Sequence, residues 1–374
     1  MRTAPITRDA FALDAGMVYL NHAAAGVLPI VTRDAIVTFA NDHAARGIVG
    51  VAPYELKLDG YRAAIGALIG ATGEEIAVLR NTGDGANIIA HGFDWQPGDE
   101  IVTQDNEFGA NALPWLALRE RGVVVRFIDT KRERMTPEAL QRMMTPRTKL
   151  VAVSWVTFSD GYRHDLSALA EVAHRAGAWF VVDAIQALGA FPLDVADGID
   201  ALYAGGAKWL MSLQGVSFLY VGPRLLERLS LRIPGWRSLE NMWDFLDYEQ
   251  QPAASVARFE GGTPNFVGAL SLATSIDFLR AANINAIGEH LLSLTDYLVD
   301  RLQSLGAEIA SVRTETARSG IVTFTLPGND PVALGQRLQS AGVVTTYRPT
   351  GIRVSPHGHN TNDDIDALIA AIRE

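Results

Sequence analysis

Two residues that follow apolar, strand-like runs are suited to covalent amine chemistry. One run, WFVVD, ends in the carboxylate of Asp183, and another, DALYAGGAKW, leads through a small-residue turn to Lys208. A lysine beside apolar groups can lose its proton and act as a nucleophile. A neighbouring aspartate can hold a cation such as a protonated pyridine nitrogen. This pair is the minimum set that pyridoxal phosphate chemistry requires.

Further apolar runs predict the strands that position these two side chains. They cover residues 75–79, 100–103, 123–128 and 149–155, and helical spacing is found at 30–47, 54–69, 137–144 and 166–176. Strands that alternate with helices predict an α/β fold with a mostly parallel, doubly wound sheet, which binds ligands at its carboxyl edge. We expect an N-terminal segment (1–52) packed on the small domain and on the active site, a large domain (53–258) and a smaller C-terminal α+β domain (259–374).

The composition argues against several classes of protein. The chain has 374 residues, a net charge of −10 and no cysteine. A nucleic-acid-binding protein would need a basic face. Without cysteine, the chain has no disulfide, no thiolate metal site and no persulfide of its own. No apolar run has the length of a signal peptide or a membrane span. We therefore expect a cytoplasmic protein with no metal, nucleic-acid or membrane partner.

Two segments around Asp183 and Lys208 resemble a known family. VVDAIQALGAFPLDV and GGAKWLMSLQGVSFLYV closely resemble the class V aminotransferases, which are fold-type-I pyridoxal phosphate enzymes and include cysteine desulfurases, C–S lyases and isopenicillin N epimerase. The resemblance extends from about Val18 to the C-terminus. It implies the fold-type-I architecture, pyridoxal 5'-phosphate as cofactor, an amino acid as substrate and a homodimer.

The resemblance also assigns the residues that bind the cofactor. They are Thr82, Gly83, Asp84, Phe108, Asp183, Gln186, Lys208 and Thr263. In this assignment Lys208 forms the Schiff base, Asp183 keeps the pyridine nitrogen protonated, and Gln186 bonds the phenolic oxygen. Phe108 stacks on the pyridine ring. Thr263, in FEGGTPN, reaches across a two-fold axis to the cofactor phosphate of the partner subunit.

The phosphate loop departs from the family pattern. Members often carry two threonines where this chain has Thr82 and Gly83, and commonly carry Ser and His where it has Gly205 and Ala207. A glycine-rich turn at a helix N-terminus still offers backbone N–H groups and the positive end of the helix dipole to a phosphate. The sequence thus predicts a phosphate site that depends more on backbone amides than on side chains. Phe158 also replaces the usual asparagine of desulfurases.

The segment GIRVSPH near the C-terminus resembles the family's RxSPH-type stretch. By this resemblance Arg353 binds the substrate α-carboxylate with both arms of its guanidinium, a geometry that lysine reproduces poorly. Arg348 is a weaker second candidate. Asn21 and His22, in a small-residue turn near the N-terminus, are expected to lie near the substrate.

The fate of the substrate after loss of its Cα proton decides the reaction. The amine of Lys208, freed by the substrate, is the expected general base. Transamination is our first expectation. A thiol-independent lyase acting on the C–S bond of cysteine, cystine or a sulfoxide, and an amino-acid epimerase, are the alternatives. A non-catalytic protein with this fold is disfavoured because Lys208, Asp183 and Arg353 are all present.

Overall fold

The computed structural model describes residues 4–374. Its strands are β1 Val18–Tyr19, β2 Ile76–Leu79, β3 Glu100–Gln104, β4 Val124–Ile128, β5 Thr148–Ser154, β6 Trp179–Asp183, β7 Ala201–Gly205, β8 Ser217–Val221, β9 Glu308–Ile309, β10 Val322–Thr325, β11 Val343–Val344, β12 Thr346–Arg348 and β13 Gly351–Val354. Its α-helices are α1 Ile30–Arg46, α2 Ile48–Glu55, α3 Leu58–Gly66, α4 Thr82–Gly92, α5 Leu113–Ala117, α6 Pro137–Met143, α7 Leu166–Arg175, α8 Pro223–Leu226, α9 Phe266–Ala281, α10 Ile284–Gln303, α11 Pro331–Ser340 and α12 Asn362–Arg373.

A seven-stranded sheet in the order β2-β8-β7-β6-β5-β3-β4 forms the centre of the large domain. Strand β8 is antiparallel to both of its neighbours, and the remaining pairs are parallel. The strands are apolar along nearly their whole length because both faces of the sheet are covered. In β6, Phe180 and Val182 belong to one buried cluster and Val181 to the other. The predicted doubly wound, mostly parallel α/β fold is confirmed.

The small domain is built on a four-stranded antiparallel sheet in the order β12-β13-β10-β9. Its core contains Phe324 and Ile352 from the sheet and Leu368 from α12. The N-terminal segment joins this core, because β1 pairs with β11 in parallel and Leu20 is fully buried there. The smaller α+β domain at the C-terminal end of the chain is therefore present, with a contribution from the N-terminus.

Helix α10 connects the two cores. Ile287 and Leu291, in its first half, pack in the large core, whereas Leu294 and Leu298 pack in the small one. Helix α9 packs on α1 and α3, in the large domain. The expected domain boundaries at residues 52 and 258 stay a prediction. This packing shows that the chain crosses from the large core to the small core within α10.

Side chains cap the helices that border the small domain and the sheet. Asp165 accepts a hydrogen bond from the Ala168 amide at the start of α7. Thr361 and Asp364 form a capping box at the start of α12. Such caps satisfy backbone N–H groups that have no partner within the helix. Along the described part of the chain, none of the helices has both the length and the hydropathy that crossing a bilayer requires.

Candidate active site

The carboxyl ends of adjacent strands bring Asp183 and Lys208 to one edge of the sheet. Asp183 is the last residue of β6, and Lys208 follows the end of β7 after a short turn. Asp183 lies opposite Ser154 in β5 and opposite Tyr203 in β7. Because β5, β6 and β7 are parallel, their carboxyl ends meet at the position where open α/β sheets bind ligands.

Lys208 is largely buried, and its Nζ lies 5.6 Å from the centroid of the Phe108 ring. Burial lowers the pKa of Lys208, the negative charge of Asp183 opposes this effect, and the positive charge of Arg353 adds to it. A lowered pKa increases the fraction of neutral amine near neutral pH. Lys208 is therefore placed and tuned to act as a nucleophile and as a base.

Asp183 is buried and makes no ion pair with any side chain that the structure describes. Its Oδ1 accepts a hydrogen bond of 3.0 Å from the Ile185 amide. Burial raises the pKa of Asp183, and the nearby carboxylate of Glu107 raises it further. A buried carboxylate without a cation is costly, and a cation placed beside it removes much of that cost. The site thus favours a ligand with a protonated nitrogen.

Glu107 is a half-buried carboxylate near Asp183 that sequence reasoning missed. Its oxygens accept hydrogen bonds from the Ser154 amide (2.8 Å) and hydroxyl, from Gln104 (2.9 Å) and from Asn111 (2.9 Å). Burial raises the pKa of Glu107, whereas these donors lower it. Four donors fill the acceptor positions of an ionised carboxylate. Its position directly before Phe108 was the available sequence clue.

The predicted phosphate-binding residues lie at the start of α4. Thr82 and Gly83 are its first two residues, and Asn81 is the N-cap. First-turn amides have no acceptor within the helix and face the positive end of its dipole, so they suit an anion. Asp84 differs, because its amide donates to Asn81 (3.0 Å) and its carboxylate pairs with Arg80 (2.8 Å). The backbone amide of Asp84 is therefore already bonded and is not free to donate to a phosphate, as the predicted contact would require.

Gln186 is buried, and its amide links two segments of the chain. Its Nε2 donates to the Ala23 carbonyl (3.1 Å), and its Oε1 accepts from the Trp209 indole (3.0 Å). The side-chain amide nitrogen carries two hydrogens, so one donor remains for a ligand. The predicted bond to the phenolic oxygen of the cofactor stays a prediction. The observed bonds hold the residue after Lys208 against the N-terminal turn.

Phe108 exposes 49% of its surface, which is unusual for a large apolar side chain. It packs edge-to-face against Phe158, with ring centroids 5.3 Å apart. Its ring lies beside the Lys208 amine. An open aromatic surface next to a reactive amine is available for stacking on a conjugated ring.

Arg353, in β13, is only 7% exposed and forms no ion pair with a residue in the described range. Its Nη1 donates to the Phe158 carbonyl (2.7 Å) and its Nη2 to the Thr346 hydroxyl (3.3 Å), while Nε has no partner. Burial and the positive charge of Arg348 together lower the pKa of Arg353 to about 10. A buried guanidinium with an unused donor is suited to bind an anion such as a carboxylate.

The two N-terminal candidates occupy different environments. Asn21 accepts a hydrogen bond of 2.7 Å from the Thr346 hydroxyl, which itself accepts from Arg353. It therefore supports the anion-binding guanidinium. His22 is fully buried, with its Nδ1 3.2 Å from the Ser355 carbonyl oxygen. Surrounding rings cover His22 completely, and the expectation that it lies near the substrate stays a prediction.

Two of the surrounding rings are histidines, and together with His22 they form a buried histidine cluster of His22, His357 and His359. The ring centroid of His22 lies 5.0 Å from that of His357 and 5.2 Å from that of His359. Burial lowers the pKa of His357 and of His359 to about 3, and that of His22 well below its usual value. All three are therefore neutral in the folded protein near neutral pH.

This cluster predicts acid-sensitive stability. Each unit of pKa difference changes the free energy of unfolding by about 1.4 kcal/mol. Because the folded pKa values lie below the unfolded value near 6.5, their contribution is complete above about pH 6.5 and is lost as the pH falls towards the folded pKa values near 3. Thermal midpoints measured by circular dichroism should fall steeply below about pH 6.5.

A variant isolates the contribution of the cluster. Neither ring nitrogen of His359 has a partner, so His359→Phe removes a titrating group without breaking a hydrogen bond. Its thermal midpoint should depend less on pH between about 4 and 6.5. The control variant His43→Gln, outside the cluster, should keep the wild-type slope. An unchanged slope in His359→Phe would contradict the proposed cause.

Thr263 is exposed in the single chain. It lines a cavity of about 250 Å³ together with Arg80, His91 and Phe259. Lys208, Asp183 and Arg353 do not line that cavity. The same cavity is lined by Asp84 in the first turn of α4. The contact of Thr263 with a cofactor phosphate stays a prediction.

Comparison with known proteins decides the family. Residues 18–368, nearly the whole chain, match the family described as Aminotransferase class-V. The chain belongs to the class V aminotransferase family. A probable cysteine desulfurase from Methanothermobacter thermautotrophicus is 29% identical, with 100% of this chain and 98% of the relative aligned. An uncharacterized aminotransferase, YcbU, from Bacillus subtilis is 29% identical over 82% of this chain and 80% of its own length.

Solved structures show the same fold. The apo structure of a cysteine desulfurase from Thermococcus onnurineus NA1 matches with a TM-score of 0.90 and 24% identity, over 99% of this chain and 97% of that one. The cysteine desulfurase CsdA from Escherichia coli matches with a TM-score of 0.86 and 25% identity, over 98% and 96% of the two chains. The fold is thus that of the fold-type-I pyridoxal phosphate enzymes.

The residues of this class V protein fit the cofactor of its family, pyridoxal phosphate. Asp183 is a buried carboxylate without an ion-pair contact, Lys208 is an amine with a lowered pKa, and Phe108 has an open ring face. The first turn of α4 provides amides for a phosphate. Across residues 4–374, histidine, aspartate and glutamate side chains form no group that could hold a metal ion. The protein is a pyridoxal phosphate-dependent enzyme that acts on amino acids.

Proposed function

We propose that this class V enzyme is an amino-acid aminotransferase in which Lys208 removes the Cα proton and Arg353 binds the α-carboxylate. One observation carries the proposal. The guanidinium of Arg353 is buried, lacks an anionic partner and is close enough to Lys208 to lower the pKa of that amine. Substrate carboxylate and reactive amine are then held in one pocket, which is the arrangement that proton transfer at Cα requires.

Each residue of the site has a separate task. When bound, pyridoxal phosphate supplies the electron sink for negative charge that develops at Cα. Asp183 keeps a proton on the pyridine nitrogen, and the Phe108 ring covers the face of the bound ring. Nζ of Lys208 takes the Cα proton and later returns a proton. Arg353, supported by Thr346 and Asn21, fixes the substrate so that its Cα–H faces Lys208.

A thiol-free C–S lyase is the second candidate. A relative that aligns with the entire chain is named a probable cysteine desulfurase, yet this chain contains no cysteine to carry a persulfide. Sulfur would then leave directly, with the electrons of the Cβ–S bond. The Lys208 and Arg353 tasks are the same in both reactions, so the two differ only after the Cα proton is removed.

Product analysis separates the two candidates. The protein loaded with pyridoxal phosphate is incubated with a panel of amino acids, with and without a keto-acid acceptor. Transamination gives one new amino acid for each keto acid formed and requires the acceptor. A lyase gives ammonia and sulfide without an acceptor, and an epimerase gives only the inverted substrate. Lyase or epimerase products without amino-group transfer would overturn the first proposal.

We further propose a homodimer in which Thr263 contacts the cofactor phosphate of the partner subunit. The proposal is supported by the FEGGTPN motif and by the exposure of Thr263, which lines a cavity that Lys208, Asp183 and Arg353 do not line. Exposed apolar side chains on the neighbouring segment, Trp243, Phe245, Leu246 and Tyr248, also suit a subunit contact. The cytoplasmic location expected from the sequence stays a prediction.

Subunit exchange tests the role of Thr263. Lys208→Ala and Thr263→Trp are each expected to be inactive, the second because the indole blocks the phosphate position. If the two residues serve different sites, a mixed dimer has one site with both lesions and one with neither. Random exchange should therefore restore about a quarter of wild-type activity. Native mass spectrometry shows that exchange has occurred, and exchange without recovered activity would place Thr263 in its own subunit's site.

A further inference from the structure

Two arginines converge on the same phenylalanine at the mouth of the proposed substrate pocket. Arg353 donates to the Phe158 carbonyl oxygen (2.7 Å). The guanidinium carbon of Arg348 lies 5.9 Å from the centroid of the Phe158 ring. In the proposed function only Arg353 has a task, which leaves the second guanidinium without one.

The hairpin of β12 and β13 places both arginines on one face. Thr346 lies opposite Arg353 and Arg348 lies opposite Gly351 in the antiparallel register. Alternate residues of a strand point to the same face, so Arg348 shares the face of Thr346 and Arg353. Diagonal neighbours on such a pair are roughly 7–8 Å apart. Two cationic groups anchored at that spacing suit a short ligand with two anionic ends.

Neither guanidinium is neutralised by a residue of the described chain. No ion pair joins Arg348 or Arg353 to an acidic side chain within residues 4–374. The carboxylate nearest to Phe158 in sequence, that of Asp160, pairs with Arg134 at 2.6 Å and accepts from the Thr157 hydroxyl. This local excess of positive charge contrasts with the net charge of −10 of the whole chain. One α-carboxylate would neutralise one arginine and leave the other.

We infer that the substrate is an amino acid whose short side chain ends in a second anionic group, a carboxylate or a sulfinate, which Arg348 binds while Arg353 binds the α-carboxylate. The inference rests on the proposed function, because it uses the same pocket. Between the two anions, the edge-to-face pair of Phe108 and Phe158 offers an apolar wall for the short carbon chain. A guanidinium matches the planar geometry of a carboxylate and binds it with two parallel hydrogen bonds.

Isosteric ligand pairs test this inference on the protein loaded with pyridoxal phosphate. Dissociation constants are measured from the change in the visible absorption of the bound cofactor on titration. Aspartate is compared with asparagine and glutamate with glutamine, and cysteine sulfinate is titrated beside aspartate. The anionic member should bind about tenfold or more tightly than its neutral partner, as expected for a hydrogen-bonded charge pair. The sulfinate arm shows which of the two anions is preferred.

Variants assign the preference to one residue. In Arg348→Gln the ratio of the two dissociation constants should fall towards one, whereas Arg132→Gln, an exposed arginine of the large domain, should keep the wild-type ratio. Equal binding of the isosteric pairs by the wild-type protein would overturn the inference and leave the proposed function intact. No absorption change with any amino acid would instead overturn the proposed function. A ratio unchanged by Arg348→Gln would also reject the role of Arg348.

Discussion

Replacing Lys208 with alanine is expected to abolish turnover and to remove the covalent link to the cofactor. A positioned general base contributes roughly 10²–10⁴-fold to proton transfer, and Lys208 is also the amine that the cofactor needs. Its buried location beside Phe108 and its lowered pKa leave no substitute among the neighbouring side chains. Cα–H exchange with deuterated water, followed by mass spectrometry, should fall by at least about 10²-fold.

Borohydride trapping gives a second measure of the same variant. Reduction of the wild-type protein with bound cofactor should add the cofactor mass to the peptide that contains Lys208. Lys149→Ala, an exposed lysine on β5, is the matched control and should retain both the trapped peptide and the exchange activity. A cofactor adduct on another lysine in the active Lys208→Ala protein would show that the assignment of Lys208 is wrong.

Replacing Arg353 with lysine is expected to weaken amino-acid binding far more than cofactor binding. Lysine keeps the positive charge but loses the planar pair of donors, and it cannot bond both Phe158 and Thr346. A hydrogen bond to a charged group is worth about 1.5–3 kcal/mol, which corresponds to roughly 10- to 150-fold in the dissociation constant. Spectral titration with an amino acid measures the dissociation constant of the substrate.

Two controls separate binding from folding in this variant. The dissociation constant of pyridoxal phosphate should stay within about twofold of wild type, because Arg353 is expected to contact the substrate and not the cofactor. Arg132→Lys, on an exposed side chain, should behave as wild type in both titrations. Unchanged amino-acid affinity in Arg353→Lys would move the carboxylate site elsewhere, with Arg348 the next residue to test.

Local patterns predicted much of the fold correctly. The apolar runs ending at Leu79 and Asp183 are strands, and the helix predicted over 166–176 is α7. The helical spacing over 54–69 was predicted as one helix, but the structure has α2 ending at Glu55 and α3 beginning at Leu58. Hydrophobic periodicity indicates which residues face a core. A short break between two helices that pack on the same core leaves this periodicity nearly unchanged, so the break was not predicted.

The site was predictable where chemistry depends on residue type and strand position. Lys208 and Asp183 could be found because they follow buried strands, and the structure brings them together at one edge of the sheet. The bonding of Glu107 and the burial of His22 could not be found. Both depend on partners far away in sequence, Ser154 for the first and His357 for the second. A single chain without related sequences gives no information about such pairings.

The pairing of β1 with β11 has a consequence for the order in which the protein becomes functional during synthesis. Leu20 enters a core whose other members, such as Leu368, are synthesised near the end of the chain. The strand that carries Arg353 belongs to the same domain. Contacts of such long sequence separation form late, because the intervening loop must first close. The ribosome must therefore release nearly the whole polypeptide before Arg353, the proposed carboxylate-binding residue, is held in place. A prematurely terminated product that ends within α11 contains Lys208 but not Arg353.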